Sequence, residues 1–93
     1  MRNLLITTLA MAALTVPAVA ASTASPQTIK NLNNAFQGES NAANRYAAFT
    51  KKADLEGLPQ VAKLFRAASA AEAIHRDNHK KAILELGGTV DSF

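Results

Sequence analysis

Two long stretches without proline, parted by a single Gly-Leu-Pro step, constrain this chain more than any other feature. Its prolines stand at positions 17, 26 and 59. Ser25-Pro26 reads as an N-cap followed by proline at the first helical position. From there to about Leu55, apolar or small residues recur at Ile29, Leu32, Phe36, Ala43, Tyr46, Phe49 or Thr50, and Ala53. Steps of three and four mark one buried stripe on a long helix. Glu56-Gly57-Leu58-Pro59 then supplies stop and restart signals: Gly57 suits a left-handed C-cap, and Pro59 suits the first turn of the next helix. A second helix is expected from Pro59 to about Leu86, closed by Gly87-Gly88, with a stripe of Val61, Leu64 beside Phe65, Ala68, Ala71, Ala82 and Leu86. So short a turn makes the helices antiparallel neighbours. The expected fold is therefore all-α, an antiparallel two-helix hairpin. The chain's 20 alanines suit helix formation and close helix packing.

The N-terminus reads differently. Arg2 is followed by an apolar run from Leu4 to Val16, broken by Thr7, Thr8 and Thr15, then Pro17 and Ala18-Val19-Ala20. This is the pattern of a secretory leader cut after Ala20. It falls short of the roughly 20 apolar residues that a membrane span needs, and an uncleaved anchor is the alternative to a cleaved leader. The expected organisation is a signal peptide over 1–20, a linker over 21–25, a helical hairpin over 26–88 and a tail over 89–93 without assigned structure. Taking 20 residues from 93 leaves 73, which excludes a Rossmann domain, a barrel or a two-domain enzyme. There is no cysteine, hence neither a disulfide nor a thiolate metal site. A periplasmic or secreted location agrees with this. The formal charge of +3 comes from 10 basic against 7 acidic residues scattered along the chain. A nucleic-acid partner would require a clustered basic face, so none is expected, and no membrane association is expected once the leader is removed.

A lone hairpin leaves apolar surface uncovered. Phe36, Phe49, Leu64 and Phe65 cannot all be buried by one partner helix. The simplest cover is a second copy of the chain, a homodimer in which two hairpins related by a two-fold axis complete a four-helix bundle.

Polar residues interrupt both stripes. The first helix's series passes through Glu39, and the second helix's passes through Glu72, His75 and His79. Burying an unpaired carboxylate costs several kcal/mol, so four acid and imidazole groups on two stripes argue for a purpose. The plainer alternative is a stripe rotated so that Glu39 and Glu72 stand at its edge in water. Glu72-Ala73-Ile74-His75 is an E-x-x-H, which puts a carboxylate and an imidazole on one helix face. With Glu39 facing it, a two-fold dimer would hold two copies each of Glu39, Glu72 and His75. That is the ligand set of di-iron and di-manganese carboxylate bundles. Four carboxylates also balance two divalent ions. Oxygen and imidazole donors suit Fe or Mn, zinc fits as well, and calcium is disfavoured. Tyr46, seven residues after Glu39, is placed either to hydrogen-bond a ligand carboxylate or to serve as an amphipathic core residue. His79 lies one turn beyond His75, either beside the site or at the core edge. Gly38, unusual within a helix, would be explained by a close helix approach.

These residues carry a family resemblance. Asn31-Leu32, Ala35-Phe36, Gly38-Glu39-Ser40, Ala43, Arg45-Tyr46, Phe49, Lys52-Ala53, Glu56-Gly57, Val61-Ala62, Leu64-Phe65, Ala68, Glu72 and His75 resemble the first half of a rubrerythrin. The likeness runs from about Asn31 to Gly88, and G-E-S-x-A-x-x-R-Y followed by A-E-x-x-H is its most specific part. It implies a ferritin-like four-helix bundle with a non-haem di-iron site linked to peroxide reduction. It also implies Glu39, Glu72 and His75 as iron ligands and Tyr46 as a catalytic neighbour. The family's second helix pair is not present in these 93 residues. Neither is a cysteine-ligated rubredoxin centre, so an external electron donor is implied. Where the family's second half often adds a glutamate three residues after the counterpart of Glu39, this chain has Ala42. The expectation is an exported di-iron protein that oxidises Fe(II) with peroxide or oxygen. Its alternatives are a non-catalytic iron-binding protein and a structural helical-hairpin interaction module.

Overall fold

The computed structural model describes residues 12, 13 and 24–93. Most of the expected leader and of the expected linker therefore lies outside the described residues. Helix α1 spans Pro26–Leu55 and α2 spans Pro59–Glu85. They pack against each other as an antiparallel hairpin, about 45 Å and 40 Å long at 1.5 Å per residue. Among the described residues there is no strand, and no helix is long and apolar enough to cross a membrane.

Both helix ends follow from local chemistry. The Ser25 side chain accepts the Thr28 amide at 3.2 Å, satisfying a backbone donor that the first turn would otherwise leave unpaired. At the far end Gly57 takes φ +70°, the Leu58 amide donates to the Ala53 carbonyl at 2.9 Å, and the Gly57 amide donates to Asp54 at 3.2 Å. This paired closure is a Schellman cap. It recurs at Gly87 (φ +77°), where Gly88 donates to Ile83 at 2.9 Å and Gly87 to Leu84 at 3.1 Å. Pro59 opens α2, which has no side-chain cap at Leu58.

The buried stripe of α1 runs through Asn33, Phe36, Ser40, Ala43, Thr50 and Ala53. It shares Phe36, Ala43, Thr50 and Ala53 with the expected apolar run, adds the polar Asn33 and Ser40, and leaves Ile29, Leu32 and Tyr46 half-buried beside it. Its hydroxyls are satisfied locally: Ser40 Oγ donates to the Phe36 carbonyl at 2.8 Å and Thr50 Oγ1 to the Tyr46 carbonyl at 2.9 Å. Facing them on α2, Ala62 and Ile83 are fully covered. Ser69 Oγ crosses between the helices to the Ala43 carbonyl at 2.8 Å. Small side chains let the two backbones approach closely enough for that bond. Val61, Leu64, Ala71 and Leu86, expected in the core, are exposed instead, Leu64 by 67%.

The segment after α2 is also better tied than its sequence indicates. Asn33 is buried; its Nδ2 donates to the Thr89 carbonyl at 2.9 Å, and its Oδ1 accepts the Asp91 amide at 2.8 Å. Gln37 Nε2 donates to the Ser92 carbonyl at 2.9 Å. Gly88 lies against the side chains of Ile29 and Ile83, so closely that a methyl group there would crowd them at 2.8–3.1 Å. The tail thus folds back onto α1.

Candidate metal centre

Residues one position off a buried stripe lie at its flank, half in contact with the partner helix. Glu39 stands beside Ser40 in this sense, and Glu72 beside the half-buried Ala73. Each carboxylate keeps 24% of its side chain exposed. Both acids therefore stand at the edge of the seam, and helix packing brings them together across the hairpin. Glu72 and His75, at i and i+3 on α2, share a face with His75 Nδ1 3.4 Å from Glu72 Oε2. Across the groove, the same Nδ1 lies 3.7 Å from Glu39 Oε2. One ligand atom from each of Glu39, Glu72 and His75 falls within 4.8 Å of the other two.

The spacing and donor types accommodate an ion. Two donors each about 2.1 Å from a metal lie about 3 Å apart when adjacent and about 4 Å apart when opposite. The contacts of 3.4 and 3.7 Å fall inside that span. Two carboxylates and one imidazole could hold a divalent ion, and they lack the thiolates that favour soft metals. His75 is 53% exposed, so one hairpin supplies only one side of a coordination sphere.

His79 joins this group more closely than the sequence alone indicates, with Nε2 3.6 Å from Glu39 Oε1. Tyr46 does not join it through a hydrogen bond among the described residues. Its ring stacks on Phe65 at 6.0 Å and meets Phe49 at 6.2 Å, and Phe49 and Phe65 pack edge-on at 5.2 Å. The Arg45 guanidinium lies 5.7 Å from the Tyr46 ring centre. Towards the turn the trio borders an open groove of about 290 Å³ lined by Phe49, Ala53, Leu58, Val61 and Phe65. Aromatic trio and acid–imidazole group occupy the same flank of the hairpin. The opposite flank carries small residues and the Arg66–Asp54 ion pair at 3.2 Å. Gly38 corrects an expectation: a methyl group there would meet nothing within 4 Å, so no close helix approach explains it.

Comparison with known proteins agrees with this geometry. The family model described as Rubrerythrin matches residues 30–93. Nigerythrin of Nitratidesulfovibrio vulgaris is 47% identical over 53 residues, which cover 57% of this chain and 26% of that protein. A rubrerythrin-named protein of Methanocaldococcus jannaschii is 43% identical over 49 residues, covering 53% of this chain and 24% of its own length. The match thus spans about a quarter of the length of these curated relatives. No solved structure matches significantly.

Proposed function

This chain belongs to the rubrerythrin family, and on that premise we propose that it is an exported iron protein whose hairpins pair into a di-iron bundle with oxidoreductase activity. The observation that carries the proposal is the convergence of Glu39, Glu72 and His75, from two helices, within 4.8 Å. Paired carboxylates with no cation between them repel, and a metal removes that cost. Two hairpins related by a two-fold axis would contribute four carboxylates and two imidazoles, the donor set of a two-metal carboxylate bundle. Manganese suits the same donors.

The uncovered apolar face supports pairing with a second copy. Phe49 (41% exposed), Leu58 (45%) and Val61 (39%) border the groove beside the acid–imidazole flank. Covering them and covering His75 are the same act, because they share a face. The leader pattern of residues 1–20 supports export to the periplasm or beyond the cell.

Each residue has a distinct task in this reading. Glu39 and Glu72 supply anionic oxygens, and His75 supplies Nδ1, the nitrogen that faces both carboxylates. Iron held there would supply one-electron redox chemistry, reducing peroxide or oxygen while an external electron donor restores Fe(II). Tyr46 offers the only phenolic hydroxyl in the chain, a proton donor to oxygen species or to a ligand carboxylate. Phe49 and Phe65 hold its ring by stacking and edge contact, which limits where that hydroxyl can reach.

Ala42 favours a second reading, iron binding without turnover, because a dimer of this chain lacks the glutamate that the family's second half often carries three residues after the counterpart of Glu39. Size-exclusion chromatography with metal analysis tests the common core. The expected result is a dimer containing iron or manganese that Glu72→Ala loses. A monomer free of both metals, unchanged by Glu72→Ala, overturns both readings. Peroxide consumption by the iron-loaded dimer then separates turnover from storage.

A further inference from the structure

His79 remains without a task in the assignments above. On α2, Glu72, His75 and His79 follow at i, i+3 and i+7, so all three share one helical face. Glu39 lies opposite the last two, and its oxygens are divided between them. Oε2 is 3.7 Å from His75 Nδ1, while Oε1 is 3.6 Å from His79 Nε2. His79 is also the better covered imidazole, with 32% of its side chain exposed against 53% for His75. A solvated edge histidine would have no reason to address the oxygen that the ligand group leaves over.

We propose that His79 is a positioning residue for the metal centre: its Nε2–H donates to Glu39 Oε1 and so holds Oε2 towards Glu72 and His75. This rests on the metal-site reading. At 3.6 Å the pair is longer than a hydrogen bond, and the donor would have to move in by about 0.5 Å to make one. A carboxylate that binds an ion through one oxygen can turn about its terminal torsion unless the other oxygen is held. Such partners of ligand carboxylates typically contribute a 10–100-fold effect on metal affinity.

Co(II) titration of the full chain, followed by its visible ligand-field bands, tests this with His79→Ala and His79→Gln. Alanine favours helix and tests loss of the donor, while glutamine restores an N–H donor at similar reach. Circular dichroism checks that both variants keep the helix content. The expected result is about 10-fold weaker Co(II) binding for His79→Ala, with unchanged stoichiometry and band positions, and recovery of most of the affinity in His79→Gln. Equal affinity in wild type and His79→Ala overturns the inference while leaving the metal site standing. So does a band shift showing loss of a nitrogen ligand, which would make His79 a ligand. Failure of glutamine to restore affinity also counts against it. Wild-type protein that binds no Co(II) removes the metal site itself and this inference with it.

Discussion

The side chains that hold the two helices together are mostly small and partly polar. Ser69 is the clearest case, because its hydroxyl leaves its own helix to reach the Ala43 carbonyl at 2.8 Å. A hydroxyl donating across a half-buried seam contributes about 1 kcal/mol net, with more lost if the acceptor's surroundings stay dry. Ser69→Ala should lower the urea midpoint by a corresponding amount without changing helix content, and denaturation followed by circular dichroism checks it. Asn33 works in the same way on the tail, donating to Thr89 and accepting from Asp91. None of these roles was legible beforehand. A serine or asparagine on a helix reads as solvent-facing until the groups that satisfy it are known. The clustering of Glu39, Glu72 and His75 was foreshadowed because they interrupt apolar stripes at a spacing that suits one ion.

At the scale of elements, capping chemistry explains where each helix begins and ends. Ser25-Pro26 opens α1, and Gly57 closes it in the left-handed region at φ +70°. A side chain with a Cβ pays for that backbone by about 1–2 kcal/mol. Gly57→Ala should therefore lower the thermal midpoint, although nothing lies within 4 Å of the new methyl. Differential scanning calorimetry on Gly57→Ala would show the loss, and an unchanged midpoint would mean that the turn tolerates another conformation. These boundaries could be read from sequence because proline and glycine act through their own backbone chemistry. The polar members of each seam could not. Leu32 and Leu64 look more apolar than Asn33 and Ser69, yet Asn33 and Ser40 line the seam on α1 while Leu64 points outward. Hydrophobicity alone favours the larger residue, whereas close packing favours the smaller one wherever its polar atom finds a partner.

For the molecule as a whole, one flank combines an aromatic trio, an apolar groove and the acid–imidazole group. If a second hairpin covers that flank, breaking the apolar part should dissolve the metal part. Phe49 is the test position, being 41% exposed in a single hairpin and in contact with Phe65. Phe49→Asp should convert a dimer into a monomer by light scattering and reduce bound metal in parallel. A variant that stays dimeric with full metal content would place the interface elsewhere. The coupling follows from coordination: one hairpin presents two carboxylates and one imidazole, too few to close a carboxylate-rich sphere around two ions.

Local chemistry in the chain was sufficient for two helices, their turn, their antiparallel order and the candidate metal ligands. Each depends on interactions within a few positions: a cap, a proline, or a carboxylate and imidazole three residues apart. The choice between one acid–imidazole cluster and four unrelated surface charges depended on contacts between helices. Glu39 lies more than 30 positions before Glu72, and helical spacing within either segment does not set their relative rotation. Packing through Ser40, Ala43, Ala62 and Ser69 sets it. That rotation gives Glu39 one oxygen facing His75 and the other facing His79.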